Sequence, residues 1–208
     1  NNPCMVIDGQ QRLWLIHPTL LGVPEWTWGS SVLRYWVSSD YQKPGSPTWE
    51  MANVLIPHAA GFERVLENTL QERAQTRGWS AEQVEQARTE NARRLKEPLV
   101  QRLGWMPRSH PLVRSDGTLI LPLSNENFAI ACMAMTKDGG QTWSLSNPVP
   151  EAGVTQPTLV EFSDGVIVAF FRNPERRIKR SESHDGGMTW SEVTLTGGNF
   201  TGTTAVAF

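Results

Sequence analysis

Apolar and polar positions alternate over short runs along most of this chain, and turn residues cut the runs at regular distances. That period belongs to strands rather than helices. Three segments share one plan. First strands over 3–8, 111–116 and 157–164 each end in Asp-Gly (Asp8-Gly9, Asp116-Gly117, Asp164-Gly165), a hairpin signal. Second strands follow over 12–16, 119–123 and 166–171. In the first segment, 18–29 reads as a long loop rich in Pro, Gly and Trp, and 30–37 as a third strand. Between 58 and 103 the period changes: Phe62, Val65, Leu66 and Leu70 fall on one helical face. Ser80 and Gln83 form a capping box that opens a second helix, and Pro98 stops it. The spacing predicts a helical hairpin inserted between two β units and lying on them. Its many Glu, Gln and Arg residues form a solvated face, or else a lid or partner surface.

A second landmark repeats on the same scale. Ser183-His184-Asp185-Gly186-Gly187-Met188-Thr189-Trp190 has an earlier copy in Thr136-Lys137-Asp138-Gly139-Gly140-Gln141-Thr142-Trp143, and the two aspartates lie 47 residues apart. Asp116 and Asp164 lie 48 apart, so two independent landmarks share one period. A period near this value marks a repeat architecture. Each residue type in the copies has a physical task. The carboxylate accepts bonds from the amides of its own turn. The paired glycines supply positive φ. The tryptophan folds back beneath the turn, and burying an indole is worth roughly 4–6 kcal/mol as an upper bound. These aspartates are therefore expected to be structural. A third copy is Ser38-Ser39-Asp40 with Thr48-Trp49, carrying a four-residue insertion within 41–47.

The chain divides on this reading into a β unit at 1–57, the helical insertion at 58–103, β units at 104–150 and 151–196, and an irregular tail at 197–208. Outside the insertion there is room for a little over three repeats. Radial repeat folds close with about four to eight units. Either a longer chain or another copy is expected to cover the outermost sheets.

Composition narrows the chemistry. The formal net charge of −2 leaves no basic footprint for nucleic acid or an anionic membrane. No apolar run approaches the ~20 residues of a membrane span. Cys4 and Cys132 are isolated among apolar neighbours and read as buried thiols. No His/Cys/Asp cluster has metal-ligand spacing and no glycine-rich phosphate loop precedes a helix, so neither metal nor cofactor is expected. The compartment is left undecided, because the chain opens inside a strand-like segment.

The Ser/Thr-x-Asp-Gly-Gly-x-Thr-Trp copies resemble the Asp-box of sialidases and related β-propellers. Asn2-Pro3-Cys4, Asp8 and the strand at 13–16 resemble the second blade of sialidases. Gln156-Pro157-Thr158-Leu159-Val160-Glu161 resembles the opening of their fourth blade, and Phe170-Phe171-Arg172-Asn173 with Arg180-Ser181-Glu182-Ser183 continues it. The resemblance is closest to bacterial sialidase-like proteins with BNR repeats. It implies an all-β fold: part of a six-bladed sialidase-type β-propeller with Asp-box hairpins and the helical hairpin inserted.

In propellers the innermost strands and the loops leading into them line the central channel. Channel candidates are Asn1, Asn2, Arg108, His110, Ser124, Asn125, Glu126, Gln156, Arg172 and Asn173. The resemblance places Arg172 in a triad of arginines that grips the sialic-acid carboxylate. Guanidinium suits that task because it offers two parallel charge-assisted bonds. Arg108 and His110 read as pocket donors for an acidic sugar or as loop anchors, and Glu126 as a pocket carboxylate or a solvated loop acid. Sialidases use a Tyr nucleophile activated by a Glu, with an Asp acid/base. The position resembling that Glu is Gln156, and an amide cannot take the proton. Tyr35 and Tyr41 sit beside the first Asp-box, on the wrong side of a blade, so no catalytic residue is assigned.

Three readings follow. The first is a sialidase-like glycoside hydrolase (exo-α-sialidase type) acting on terminal acidic sugars of glycans, incomplete and inactive as this segment alone. The second is a non-catalytic carbohydrate-binding or scaffold propeller. The third is a glycosidase or lyase of another sugar specificity. All three expect a glycan or small sugar ligand.

Overall fold

The computed structural model describes residues 2–22 and 26–199. Three antiparallel sheets follow one another along the chain. The first holds β1 (Cys4–Ile7), β2 (Leu13–Leu20), β3 (Ser31–Ser38) and β4 (Met51–Leu55) in sequence order. Then come α1 (Phe62–Arg77), α2 (Ala81–Leu95) and a short α3 (Pro98–Arg102). The second sheet has β5 (Trp105–Met106), β6 (Leu112–Val113), β7 (Leu119–Asn125), β8 (Ile130–Thr136) and β9 (Ser144–Leu145). The third has β10 (Thr155–Glu161), β11 (Ile167–Arg172), β12 (Arg177–Ser183) and β13 (Thr194–Asn199).

The second sheet is packed on both faces, and every residue of β7 and β8 is buried. One face (Leu119, Leu121, Leu123, Ile130, Cys132, Ala134) meets Trp14, Ile16, Leu33 and Tyr35 of the first sheet. The other (Ile120, Ala131, Met133, Met135) meets Leu159, Ile167, Ala169 and Phe171 of the third. Period-two alternation thus feeds two cores from one sheet.

The Asp-box hairpins tie each sheet to the one before it. Asp138 accepts the Thr142 amide (3.0 Å) and the hydroxyls of Thr142 (2.6 Å) and Thr136 (2.9 Å). Asp185 repeats this with Thr189 and Ser183. Trp143 then leaves its own sheet and packs edge-on against Trp14 (6.1 Å) and against Tyr35 (5.6 Å) of the first sheet. Its Nε1 donates to Tyr35 Oη, which itself donates to Gly140 O at 2.8 Å. Gly140 has φ +87°, and a Cβ there would stand 2.8 Å from Trp14, so both conformation and contact demand glycine. Trp190 is buried in the core between the second and third sheets. Asp40 accepts Ser38 Oγ (2.9 Å) and the Thr48 amide (2.7 Å), as a third box requires. Its Trp49 is 37% exposed, because no sheet among the described residues precedes the first.

Several elements depart from the sequence reading. β2 does not end at Ile16 but runs through Pro18 to Leu20, pairing Pro18 with Leu33. Pro122 sits inside β7, within the strand read over 119–123, opposite Met133, whose amide turns away to Ser146 Oγ. The side of Pro122 without a donor therefore faces inward, where the innermost strand is interrupted between β5 and β6. Pro98 does not simply stop α2, which ends at Leu95; it opens α3 from the first helical turn. β13 extends to Asn199, so part of the segment read as an irregular tail is strand, while 200–208 lies outside the described residues.

The insertion packs where its periodicity points. Phe62, Val65 and Leu66 join Trp105, Phe128 and Val100 in the first core. Ala152 donates to Thr69 Oγ1 (2.9 Å), Arg73 donates to Ala152 O (3.0 Å), and Arg94 donates to Asn127 O. The Ser80–Gln83 capping box is formed in both directions. Cys4 and Cys132 lie buried and unlinked in the first core, and burial pushes the Cys4 thiol up to about 12. Among the described residues no helix is long and apolar enough to cross a membrane.

Asp138 gives a pH test of the box. Chiefly the Thr142 hydroxyl, then the Thr142 amide, hold its carboxyl down to about 2, against an ordinary 3.8. A depressed folded value contributes stability above the unfolded value, and that stability is lost as pH falls through the folded one. Urea midpoints of Asp138→Asn should therefore lie below wild type at neutral pH, and the gap should close between about pH 4 and about pH 2.

Candidate functional site

The candidate residues gather where β7 and β11 end and the innermost strands begin. Two devices bring them there. Ser109 Oγ donates to Pro157 O at 2.6 Å, which ties the loop carrying Arg108 to the inner strand of the next sheet. Gln156 adopts φ +54° where the β10–β11 register shifts, a bulge in an uncommon conformation for a residue with a side chain. Strain of this kind concentrates at functional positions. The bulge leaves the Gln156 amide oxygen 3.4 Å from Arg172 Nη1, which donates to it. Across the sheet boundary, Arg108 Nη1 donates to Asn2 Oδ1 at 2.8 Å.

Glu126 links the two pairs. It stands at the tip of the turn between β7 and β8, with its amide bonded to Gly104 O at 2.8 Å. Crowding by protein raises its carboxyl above the ordinary range, and the positive charges of Arg172 and Arg108 act in the opposite direction. The side chain is open to solvent by surface area, yet protein surrounds the carboxyl closely enough to desolvate it. One carboxylate and two guanidiniums, contributed by two sheets, thus lie at the same end of the stack, near enough for both positive charges to act on Glu126.

The other candidates divide. Asn125 is a correction: it is fully buried and turned inward. Its Nδ2 donates to Leu103 O (2.9 Å), while its Oδ1 accepts the amides of Asn127 (2.9 Å) and Phe128 (3.0 Å). It builds the turn that carries Glu126 and presents nothing to a ligand. His110 is exposed, its Nδ1 is 3.1 Å from Pro111 O, and no contact joins it to the arginines among the described residues. Ser124 is buried with its hydroxyl unpartnered. Asn1 lies outside the described residues. Glu161 belongs to the opposite end of the sheets, where it pairs with Arg114 at 2.8 Å. The two-arginine recess spans repeats far apart in sequence, so only the Gln156 bulge and the Asn-x-Asn turn beneath Glu126 left local traces.

The Asp-box end also holds an inter-sheet cleft, of about 210 Å³ and lined by Asp8, Arg12, Asp116 and Lys137. Its Asp8 is committed to Trp14 Nε1 (2.8 Å) and Arg12, so it serves packing. Among the described residues no group of three or more His, Cys, Asp or Glu could hold a metal ion.

The BNR repeat-like domain family matches residues 68–201. The chain belongs to that family. This BNR repeat chain is 30% identical over 110 residues to a sialidase of Paraclostridium sordellii, covering 49% of the chain and 27% of the relative. A Clostridium perfringens sialidase is 27% identical over 110 residues, with 49% and 28% covered. The chain therefore spans little more than a quarter of those relatives. Among solved structures, Trypanosoma rangeli sialidase in complex with the inhibitor DANA aligns at TM-score 0.60 and 14% identity, over 92% of this chain and 27% of its own. The NanB sialidase from Streptococcus pneumoniae aligns at 0.52 and 21%, over 81% and 20%. A Dyadobacter fermentans protein of unknown function aligns at 0.59 and 16%, over 95% and 50%. These likenesses show a mostly β, sialidase-type fold.

The electrostatics of the recess are directly measurable. In a carbon-detected NMR titration, Glu126 should titrate above an ordinary glutamate. Arg108→Ala and Arg172→Ala should each raise it further, because each removes a positive charge that favours the carboxylate. A Glu126 that ignores both substitutions would place the arginines elsewhere.

Proposed function

We propose that this chain forms the acidic-sugar recess of a sialidase-like β-propeller, and that it binds the terminal acidic sugar of a glycan through Arg172 and Arg108. The observation that carries the reading is that Arg108, bonded to Asn2, and Arg172, bonded to Gln156, stand at the same end of two sheets that Ser109 and Pro157 tie together there. A sugar carboxylate there would accept a forked pair of bonds from Arg172. Glu126 would accept hydrogen bonds from sugar hydroxyls, while the two guanidiniums offset its charge toward the anion.

The recess favours binding over hydrolysis in this segment. Gln156 stands where the sialidase resemblance expects the carboxylate that activates a tyrosine, and its amide already accepts from Arg172. A neutral tyrosine, with pKa about 10, is a poor nucleophile without such a base. Tyr35 is spent on Gly140 and Trp143 beneath an Asp-box. The family relationship to sialidases supports a glycoside-hydrolase ancestry, and the catalytic groups would have to come from further blades.

The outer sheets support a six-bladed ring of which these are three blades. Met5 (59% exposed), Ile7 (46%) and Val54 (43%) lie on the first sheet's outward face, and Trp49 is also half-open. Apolar sheet faces of this kind are built to be covered. Trp143 and Trp190 each dock on the preceding sheet, so Trp49 points to a preceding blade. In the 208-residue chain, Trp49→Ala should cost under ~1 kcal/mol and Trp143→Ala about 3 kcal/mol by chemical denaturation. In a longer protein containing the preceding blade, the two costs should converge.

Calorimetric titration with N-acetylneuraminic acid and related uronates tests the ligand. Arg172→Ala should weaken binding by about tenfold or more, and Arg172→Lys should recover only part of it, because an ammonium cannot fork. The same chain should release no fluorophore from a synthetic sialoside. Turnover by the segment alone would overturn the division between binding and catalysis.

A further inference from the structure

The helical insertion creates a concavity at the same end of the sheets as Arg172. It lies between α1 and the turn joining β11 to β12, encloses about 260 Å³, and has Arg73, Arg77, Thr76, Asn173, Glu175 and Lys179 in its walls. That is slightly below the ~300–1,000 Å³ usual for small-molecule clefts, a scale suited to one sugar ring. We propose that this cleft is a subsite for the neutral sugar to which the terminal acidic sugar is linked. The assignment of which sugar sits next door rests on the binding reading above; the cleft's own chemistry does not.

Three observations carry it. The first is pre-organisation. Arg73 is fixed by its bond to Ala152 O at 3.0 Å, and Lys179 by its pairing with Glu151 at 2.5 Å. Gly153 makes room for Arg73: a Cβ there would stand 2.5 Å from Arg73 Nη2. The second is unmet hydrogen-bonding capacity. Asn173 is 5% exposed, and its Oδ1 accepts the amide of Glu175 at 2.9 Å, but its Nδ2 has no partner. A buried unpaired donor is costly, and because Asn173 is in the cleft wall, a ligand oxygen or water admitted by a small side-chain shift relieves it. Arg77, on the rim, makes no hydrogen bond or ion pair among the described residues. The third is charge balance. Arg73, Arg77 and Lys179 face Glu72, Glu151 and Glu175, so an anion or a cation meets repulsion as well as attraction. A neutral polyol, with a donor and acceptor at every hydroxyl, uses both kinds of wall.

Position links the cleft to the recess. Asn173 directly follows Arg172, so their Cα atoms are about 3.8 Å apart.

The test compares N-acetylneuraminic acid, sialyllactose and lactose on the full-length protein, with affinities by calorimetry and the Asn173 side-chain NH₂ followed by NMR. Sialyllactose should bind more tightly than the monosaccharide. Arg77→Ala should lower its affinity about tenfold, the worth of one charge-assisted bond, and leave the monosaccharide unchanged. Asn173→Asp keeps the turn acceptor while removing the donor, and should act in the same direction. Lactose alone should shift the Asn173 NH₂ signals. If that shift occurs while N-acetylneuraminic acid fails to bind, the subsite stands and the acidic-sugar reading falls. If neither lactose nor sialyllactose moves those signals, or Arg77→Ala changes both acidic ligands equally, the subsite is overturned.

Discussion

The docking of each Asp-box tryptophan on the preceding sheet is the interaction from which the rest of this structure follows. Trp143 reaches back to Trp14 and Tyr35, and Trp190 reaches back to the second sheet. The turn that aims each indole is closed by a carboxylate bonded to its own amides and hydroxyls, which leaves it no capacity for chemistry. The contact is local in sequence on one side and long-range on the other. It fixes the direction in which sheets stack, and it lets a buried second sheet feed two cores at once.

The proposed site lies at the end of the sheets opposite the Asp-boxes. Once the sheets are stacked, the loops leading into their inner strands converge. Ser109 bonds Pro157, the bulge at Gln156 turns an amide toward Arg172, and Glu126 feels the charges of both Arg108 and Arg172. The helical insertion adds a wall at this same end, held by Thr69, Arg73 and Arg94 against the turns of the second sheet and the link to the third. It extends the concave surface without entering the stack.

Much of this was legible in residues whose task is local. Asp138 and Asp185 announce their turns within eight residues, Ser80 and Gln83 announce a helix start, and the alternation over 119–123 announces a strand. What escaped reading depends on partners distant in the chain. Pro18 reads as the start of a loop until its pairing with Leu33 is seen. Asn125 resembles a ligand contact until its amide is found bonded to Leu103. Glu126 reads in sequence as either a pocket carboxylate or a solvated loop acid, and only the stacking of the second and third sheets brings it under the charges of two arginines. Pro98 carries both a stop for one helix and a start for the next, and the sequence pattern showed the first role alone.

The central claim is that sheet stacking builds a recess in which Arg172 and Arg108, from neighbouring sheets, hold one carboxylate. A crystal structure of the intact protein with a bound acidic sugar tests it most directly. The account predicts the sugar carboxylate forked on Arg172, with Arg108 and Glu126 lining the same recess and Trp49 buried under a preceding sheet. An acidic sugar bound at the Asp-box end, or Arg108 and Arg172 opening onto separate surfaces, would contradict it.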